Sequence, residues 1–408
     1  MDIRFQHECP QCGAPIELKE SERFLQCDFC GVRNYLCSSN HFHFTLPHSA
    51  PGKELIYAPY MRYKGNVFFC QGIKTDFRFV DVTQLGVPLT GAPPSLGFRP
   101  QAMPLKVIDP AAPGAFIKPT LPQSTLLSKV SQIGQMSAAK DVHHRAYIGD
   151  VTSLIYLPLY VYQNKLYDAV INEPITSLEA GLELNPSLVD EKPPWRLTVL
   201  ATICPVCGWN LEGEKDSVAL LCRHCGKVWE AAGGRLSLVD HVIIPDIGTN
   251  LTYLPFWKMT VSTTGLPLKT FADFLKIARQ PRVIFDEWEN EPMSFWSPAF
   301  KIRPKLFLDL LRNTTIAQPT YSYSETLERK HLFPVTLPSS EAAQTFKLTL
   351  AAASIKKNDV FPLLPRVRFK LEKLTLAYLA FMDNGHEMVQ PCSQLTINKN
   401  ALSFGRYL

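Results

Sequence analysis

Eight of the eleven cysteines in this 408-residue chain occur in four Cys-x-x-Cys-Gly turns, a spacing at which thiolates bind metal. The turns are Cys9-Pro10-Gln11-Cys12-Gly13, Cys27-Asp28-Phe29-Cys30-Gly31, Cys204-Pro205-Val206-Cys207-Gly208 and Cys222-Arg223-His224-Cys225-Gly226. They form two pairs, with fourteen residues between the second and third cysteine of each pair. That spacing lets two turns face each other across a short hairpin and enclose one ion in four sulfurs. The expectation is two tetrahedral sites holding one structural Zn2+ each. Cys9, Cys12, Cys27 and Cys30 form the first, and Cys204, Cys207, Cys222 and Cys225 the second. Four thiolates over-compensate a divalent ion, so backbone N–H groups must point at sulfur. A Cys-x-x-Cys turn supplies those donors, and the following glycine accepts the positive φ required. Arg223 and Lys227 add positive charge beside the second site, whereas Asp28 adds negative charge beside the first. Binding would contribute on the order of 10 kcal/mol per site, enough to hold a hairpin too small for its own core.

Residues 5–37 and 200–240 resemble zinc ribbons, the rubredoxin-like class of metal knuckles. The second segment runs from Leu221 through the last cysteine pair to Trp229, then Gly234-Arg-Leu-Ser-Leu-Val239. It is also similar to small ribbon proteins that act as activating partners of methyltransferases. Ribbons recur in transcription factors, polymerase subunits, tRNA-modifying enzymes and adaptors, so the resemblance implies a metal and little else. Two other readings stay open. An iron-thiolate electron-transfer site would resemble rubredoxin, which carries its proline in the later knuckle, whereas Pro10 and Pro205 lie in the earlier ones. A thioredoxin-like redox pair needs a strand–turn–helix context that the flanking residues do not suggest. The rest of the chain carries no family motif that can be named.

Other residue groups could do chemistry, and each has a plainer reading. Cys37, His41, His43 and His48 could build a catalytic metal site, but His-Phe-His-Phe alternation is what a half-exposed strand shows. His143 and His144, between Asp141 and Arg145, read as a solvated polar connection. Asp286, Glu287, Glu289 and Glu291 could serve as paired acids, yet no second motif supports this and a solvated loop is expected. Trp257, Trp288 and Trp296 are candidates for the core or for a contact patch near that loop. Basic groups occur at 276–282, 301–305 and 366–373. In the last, Arg366, Arg368 and Lys370 alternate with apolar residues, which could track a phosphate backbone or face solvent from a sheet. Phosphate loops, nucleophile elbows, zinc-protease helices and dinucleotide fingerprints are absent from the sequence.

An internal repeat organises these groups. Cys9 and Cys204 are 195 positions apart, and Leu55-Ile-Tyr57-Ala-Pro59-Tyr matches Leu251-Thr-Tyr253-Leu-Pro255-Phe at an offset of 196. The stretch from Gly97 weakly echoes that from Phe295, and Tyr156-Leu-Pro-Leu aligns with Tyr378-Leu-Ala-Phe at 222. The Tyr-x-Pro phrases precede turn-like triplets at 64–66, 163–165, 263–265 and 383–385, so hairpins are expected there, with each proline at a strand edge or bulge. Apolar spacing predicts helices at 268–279 and 299–312, and composition adds 124–136 and 339–353. Residues 86–122, rich in proline and glycine, read as irregular loop.

The domain expectation is a zinc ribbon at 1–40, a β-rich module at 41–184, a linker at 185–198, a second ribbon at 199–240 and a second β-rich module at 241–408. The fold class is α+β and β-rich, a tandem duplication of a ribbon followed by a β-rich module. Hydrophobic residues make up 46% and the net charge is +5, which fits a globular protein and falls short of a dedicated nucleic-acid binder. Only Cys37, Cys70 and Cys392 lie outside the knuckles, and scattered thiols fit a reducing, cytoplasmic setting. No stretch approaches the ~18–20 apolar residues of a membrane helix, and no signal core precedes the first knuckle. The function expected is a zinc-binding, non-catalytic adaptor or assembly subunit with a protein partner. A nucleic-acid-associated ribbon factor is the alternative, and an enzyme with a site between the halves is third. No small-molecule substrate is evident.

Overall fold

A computed structural model of the chain describes residues 4–9, 11–38, 41–50, 52–109, 111–134, 142–177, 189–190, 197–245, 250–319, 331–390 and 395–405. Among these described residues the fold is β-rich, with 45% strand, distributed over several sheets, against 19% helix. The chain divides into two compact units built from discontinuous segments. The first comprises Met1–Lys64, Val80–Ile133 and Asp150–Ala201; the second comprises Gly65–Phe79, Gly134–Gly149 and Thr202–Leu408. Among the described residues no helix is long and apolar enough to cross a membrane.

In the first unit the strand Arg4–Glu8 pairs antiparallel with Pro15–Lys19 and parallel with Leu105–Val107. This carries the first knuckle on the edge of a large sheet. Phe24–Gln26, Arg33–Ser38 and Leu197–Ala201 form a separate three-stranded antiparallel sheet around the second knuckle. The large sheet is centred on two long strands, Ile56–Gln71 and Val142–Tyr162. Its core packs Phe44, Tyr60, Ile155, Leu157 and Leu159, each no more than 1% exposed. A buried ionic knot also ties the unit together. Arg62, fully buried, donates from Nε and Nη2 to Asp81 at 2.8 Å and from Nη1 to Glu20 at 2.6 Å. Gln101 donates to Asp81 at 2.9 Å.

The second unit holds a ribbon of Ala219–Leu221, Val228–Ala232 and Arg235–Val239, and a seven-stranded sheet. The sheet runs Ser294–Pro298, Leu251–Thr264, Arg368–Asp383, Glu387–Gln390, Leu395–Asn398. Helices pack on it, with Phe295 against Phe274 and Phe346. Helix Phe271–Ala278 starts at a capping box, in which Thr270 Oγ accepts from the Asp273 N–H and Asp273 accepts from the Thr270 N–H. The helix expected at 299–312 lies instead at Pro304–Ala317, because Pro304 fits the first helical position and Phe300 is spent on the core. Phe68, Cys70, Ala146 and Ile148 belong to this same core, with Phe68 against Phe307 at 5.7 Å.

Strand pairings recur in the two units. Phe42–Thr45 lies parallel to Val142–Tyr162, and His241–Ile244 lies parallel to Arg368–Asp383. Tyr57 pairs with Phe116 in a short parallel ladder, as Tyr253 does with Leu332. Lys165–Asp168 and Glu173–Ser177 follow one long strand as Glu387–Gln390 and Leu395–Asn398 follow the other. Between these shared parts the two halves of the sequence differ: Lys74–Leu85 forms a strand where the later half has the helix Phe271–Ala278.

Three expectations are corrected. Residues 64–66 do not turn; the strand continues to Gln71, buried throughout, and the turn falls at Gly72-Ile73. The turn after Thr264 leads to a helix, not a hairpin, whereas those at 163–164 and 384–385 do close hairpins. The prolines sit inside central strands. On one side of Leu251–Thr264, the parallel ladder ends at Tyr253 and the antiparallel ladder to Ser294–Pro298 begins at Phe256. Pro255 O accepts from Ala299 N at 3.0 Å on that side, so its missing donor falls where one partner gives way to the next. Pro59 repeats this with Gly86 N at 2.8 Å.

Candidate metal centres

Each knuckle is the same backbone turn. The glycine N–H returns to the first cysteine carbonyl at 2.8–2.9 Å in all four, and Gly13, Gly31, Gly208 and Gly226 have φ of +67° to +73°. The turns bring Cys9 Sγ within 3.7 Å of Cys30 Sγ, and Cys12 within 3.6 Å of Cys27. In the second set Cys204 lies 3.6 Å from Cys225 and Cys207 3.4 Å from Cys222. All four sulfurs of each set fall within 4.8 Å of one another. A tetrahedron with Zn–S bonds of about 2.3 Å has sulfurs about 3.8 Å apart, so both sets fit a four-thiolate ion.

The electrostatics divide each set: the first cysteine is lowered, whereas Cys12 and Cys222, beside the neighbouring sulfurs, are pushed up to about 12, and Cys30 and Cys225 are raised as well. Burial pushes the Cys204 thiol up, but backbone N–H groups of Cys207 and Val206 donate to it and bring it down to about 6. Cys9 is brought down to about 7 against burial by the N–H groups of Cys12 and Gln11. Aimed amides therefore favour thiolate at the first cysteine of each set. Arg223, expected to soften the second site, is held by Glu212 at 3.2 Å. The knuckle tips are apolar and open: Phe29 is 77% exposed, Val206 60%, and Trp209, stacked on His224, 57%.

The two four-cysteine sets are the metal-compatible clusters among the described residues. Cys37, His41, His43 and His48 do not assemble into one. His43 lies on the expected strand, Phe42–Thr45, but is buried rather than half-exposed, stacked on Tyr156 at 6.0 Å. Burial, with the charge of His41 adding to it, drives its pKa down to about 3. His143 and His144 are not in a loop but in the long strand Val142–Tyr162. Burial holds His144 down to about 4. Asp141 and Cys392 lie outside the described residues, as does most of the expected linker. Asp286–Glu289 forms an exposed 3-10 turn. Trp257 and Trp296 are core residues, and Trp288 alone of the three belongs to that turn, packed against Phe285. Arg366, Arg368 and Lys370 are exposed, with Lys370 paired to Glu372 at 3.1 Å.

Sequence reasoning missed the Arg62 knot, whose members lie far apart in the chain. It also missed a cleft lined by Lys227, Lys258 and Lys373, for which Lys258-Met-Thr260 within an apolar strand was the available signal. No family model matches the chain, and neither does any curated protein or solved structure.

Proposed function

We propose that this chain is a non-catalytic zinc protein of two related modules, serving as an adaptor or assembly subunit for a protein partner. The observation that carries the reading is the closure of both sites. Four protein thiolates leave no open position for water or substrate, which suits a structural rather than a catalytic ion. Phe29, Val206 and Trp209, apolar and exposed at the knuckle tips, give such a subunit contact points of the kind that interfaces favour. The recurrent strand pairings support descent of both modules from one ancestor, and two similar modules allow two-point attachment to a partner. With eight cysteines assigned to metal, the scattered Cys37 and Cys70 fit a reducing, cytoplasmic compartment.

A nucleic-acid role rests on exposed Arg366, Arg368 and Lys370. Glu372 offsets part of that charge, which weakens the case. Capture of the native protein with and without nuclease separates the two. The adaptor reading expects partner retention through nuclease and moderate salt, unchanged when Arg366, Arg368 and Lys370 become Gln. A log-log salt slope that drops by about one per neutralised residue would favour nucleic acid instead.

A further inference from the structure

A cleft of about 740 Å3 opens in the second unit where its ribbon meets the seven-stranded sheet. Its floor is a polar patch on a sheet whose neighbouring positions are apolar. Lys258 pairs directly with Thr375 on the adjacent strand, and Thr260 pairs with Lys373 on one side and Ser294 on the other. Directly paired residues share a face, so these side chains rise together. Lys227, from the last knuckle of the ribbon, reaches the same cleft from across it. None of the three ammonium groups makes an ion pair among the described residues. Lys258 is half-buried with its ammonium 5.3 Å from the centre of the Trp296 ring. Burial lowers its pKa and Lys373 adds to that, while Glu291 opposes both. Three ammonium groups against the two carboxylates of Asp240 and Glu291 leave an excess of positive charge in the cleft that an anion would stabilise.

The donor count narrows the anion. Three ammonium groups and the hydroxyls around Thr260 outnumber what one carboxylate can accept and match the oxygens of a phosphoryl group. Asp240 and Glu291 flank the lysines and interrupt any continuous basic track, which disfavours a polynucleotide. The volume lies within the ~300–1,000 Å3 of small-molecule sites. We propose that the cleft binds a phosphorylated small molecule, its phosphoryl group among Lys227, Lys258, Lys373 and Thr260 and its organic part against Val242 and Pro292. This stands apart from the adaptor reading and does not depend on it.

Calorimetric titration of the full-length, metal-loaded protein tests it with phenyl phosphate, inorganic phosphate, benzoate and a ten-nucleotide single strand lacking terminal phosphate. Saturable one-to-one binding of phenyl phosphate is expected, tighter than inorganic phosphate and at least about tenfold tighter than benzoate. Lys373→Gln, at an exposed position that the core does not need, should weaken it about tenfold, and Lys258→Gln at least as much. Absence of saturable binding would overturn the proposal, as would equal affinity for benzoate or wild-type affinity in the Lys373→Gln protein. Tighter binding of the oligonucleotide would reassign the cleft to nucleic acid.

Discussion

At the scale of single residues, the cysteines and Arg62 show two opposite ways of holding charge inside a protein. Each sulfur set concentrates negative charge that a cation must neutralise, and aimed N–H groups carry the remainder. If zinc fills both sets, the native protein should contain two equivalents per chain by elemental analysis. Cys204→Ser should reduce this to one and raise amide exchange in Val228–Ala232, because three thiolates no longer close the site. Retention of two equivalents would refute the assignment of Cys204 as a ligand. Arg62 does the reverse, bringing one cation to two acids, Glu20 at 2% and Asp81 at 15% exposure. Removing one partner of a buried pair leaves uncompensated charge, so Arg62→Ala should cost about 3–5 kcal/mol in urea unfolding. A loss below about 1 kcal/mol would mean that water reaches the acids.

At the scale of elements, what could be read from sequence was whatever local rules decide. The knuckles, the capped helix at Thr270 and the hairpins at 163–164 and 384–385 all follow from neighbours within four or five positions. The triplet Lys64-Gly65-Asn66 carries an equally good turn signal, yet the strand runs through it because the ladder and burial on both faces outweigh local preference. His43 was assigned correctly to a strand but to the wrong environment, since alternation does not reveal that a sheet is covered twice. The prolines were misplaced for a related reason, because a junction between two ladder partners has no sequence signature. Where local rules govern, local changes should be modest. Thr270→Ala should cost about 1 kcal/mol, measured as a shift in the unfolding midpoint. A loss several times larger would show that Thr270 supports more than its helix.

At the scale of the whole molecule, buried His43 and half-buried His144 couple stability to acidity. His43 in the first unit and His144 in the second are held neutral far below the ~6.5 of an exposed histidine. As pH falls through about 6.5 the unfolded chain takes up protons that the folded chain refuses. Their contribution is therefore intact above that value and declines as pH drops toward about 4. Each histidine should remove about 1.4 kcal/mol per pH unit inside this window. Urea midpoints at pH 7 and 5 should differ accordingly, and replacing both histidines with Gln should shrink the difference. A difference unchanged by the double substitution would assign the effect to other groups. None of this was legible from sequence, because it depends on which segments share a core.

The sharing of segments has a further consequence. The chain passes between its two compact units five times, since each unit is assembled from three separate stretches. A single cut near residue 195 would leave the larger part of the second unit's core on one fragment and Phe68, Cys70, Ala146 and Ile148 on the other. In return, the strand Leu197–Ala201 of the downstream fragment remains laddered to Arg33–Ser38 of the upstream one. A nicked molecule should thus elute as one particle and come apart only in denaturant, which an engineered protease site at 191–196 followed by size-exclusion chromatography would reveal. Fragments that separate in plain buffer would show that the interlacing adds no such hold. If they stay together, the protein behaves as a self-mending splice, in which backbone continuity is dispensable once the weave has formed.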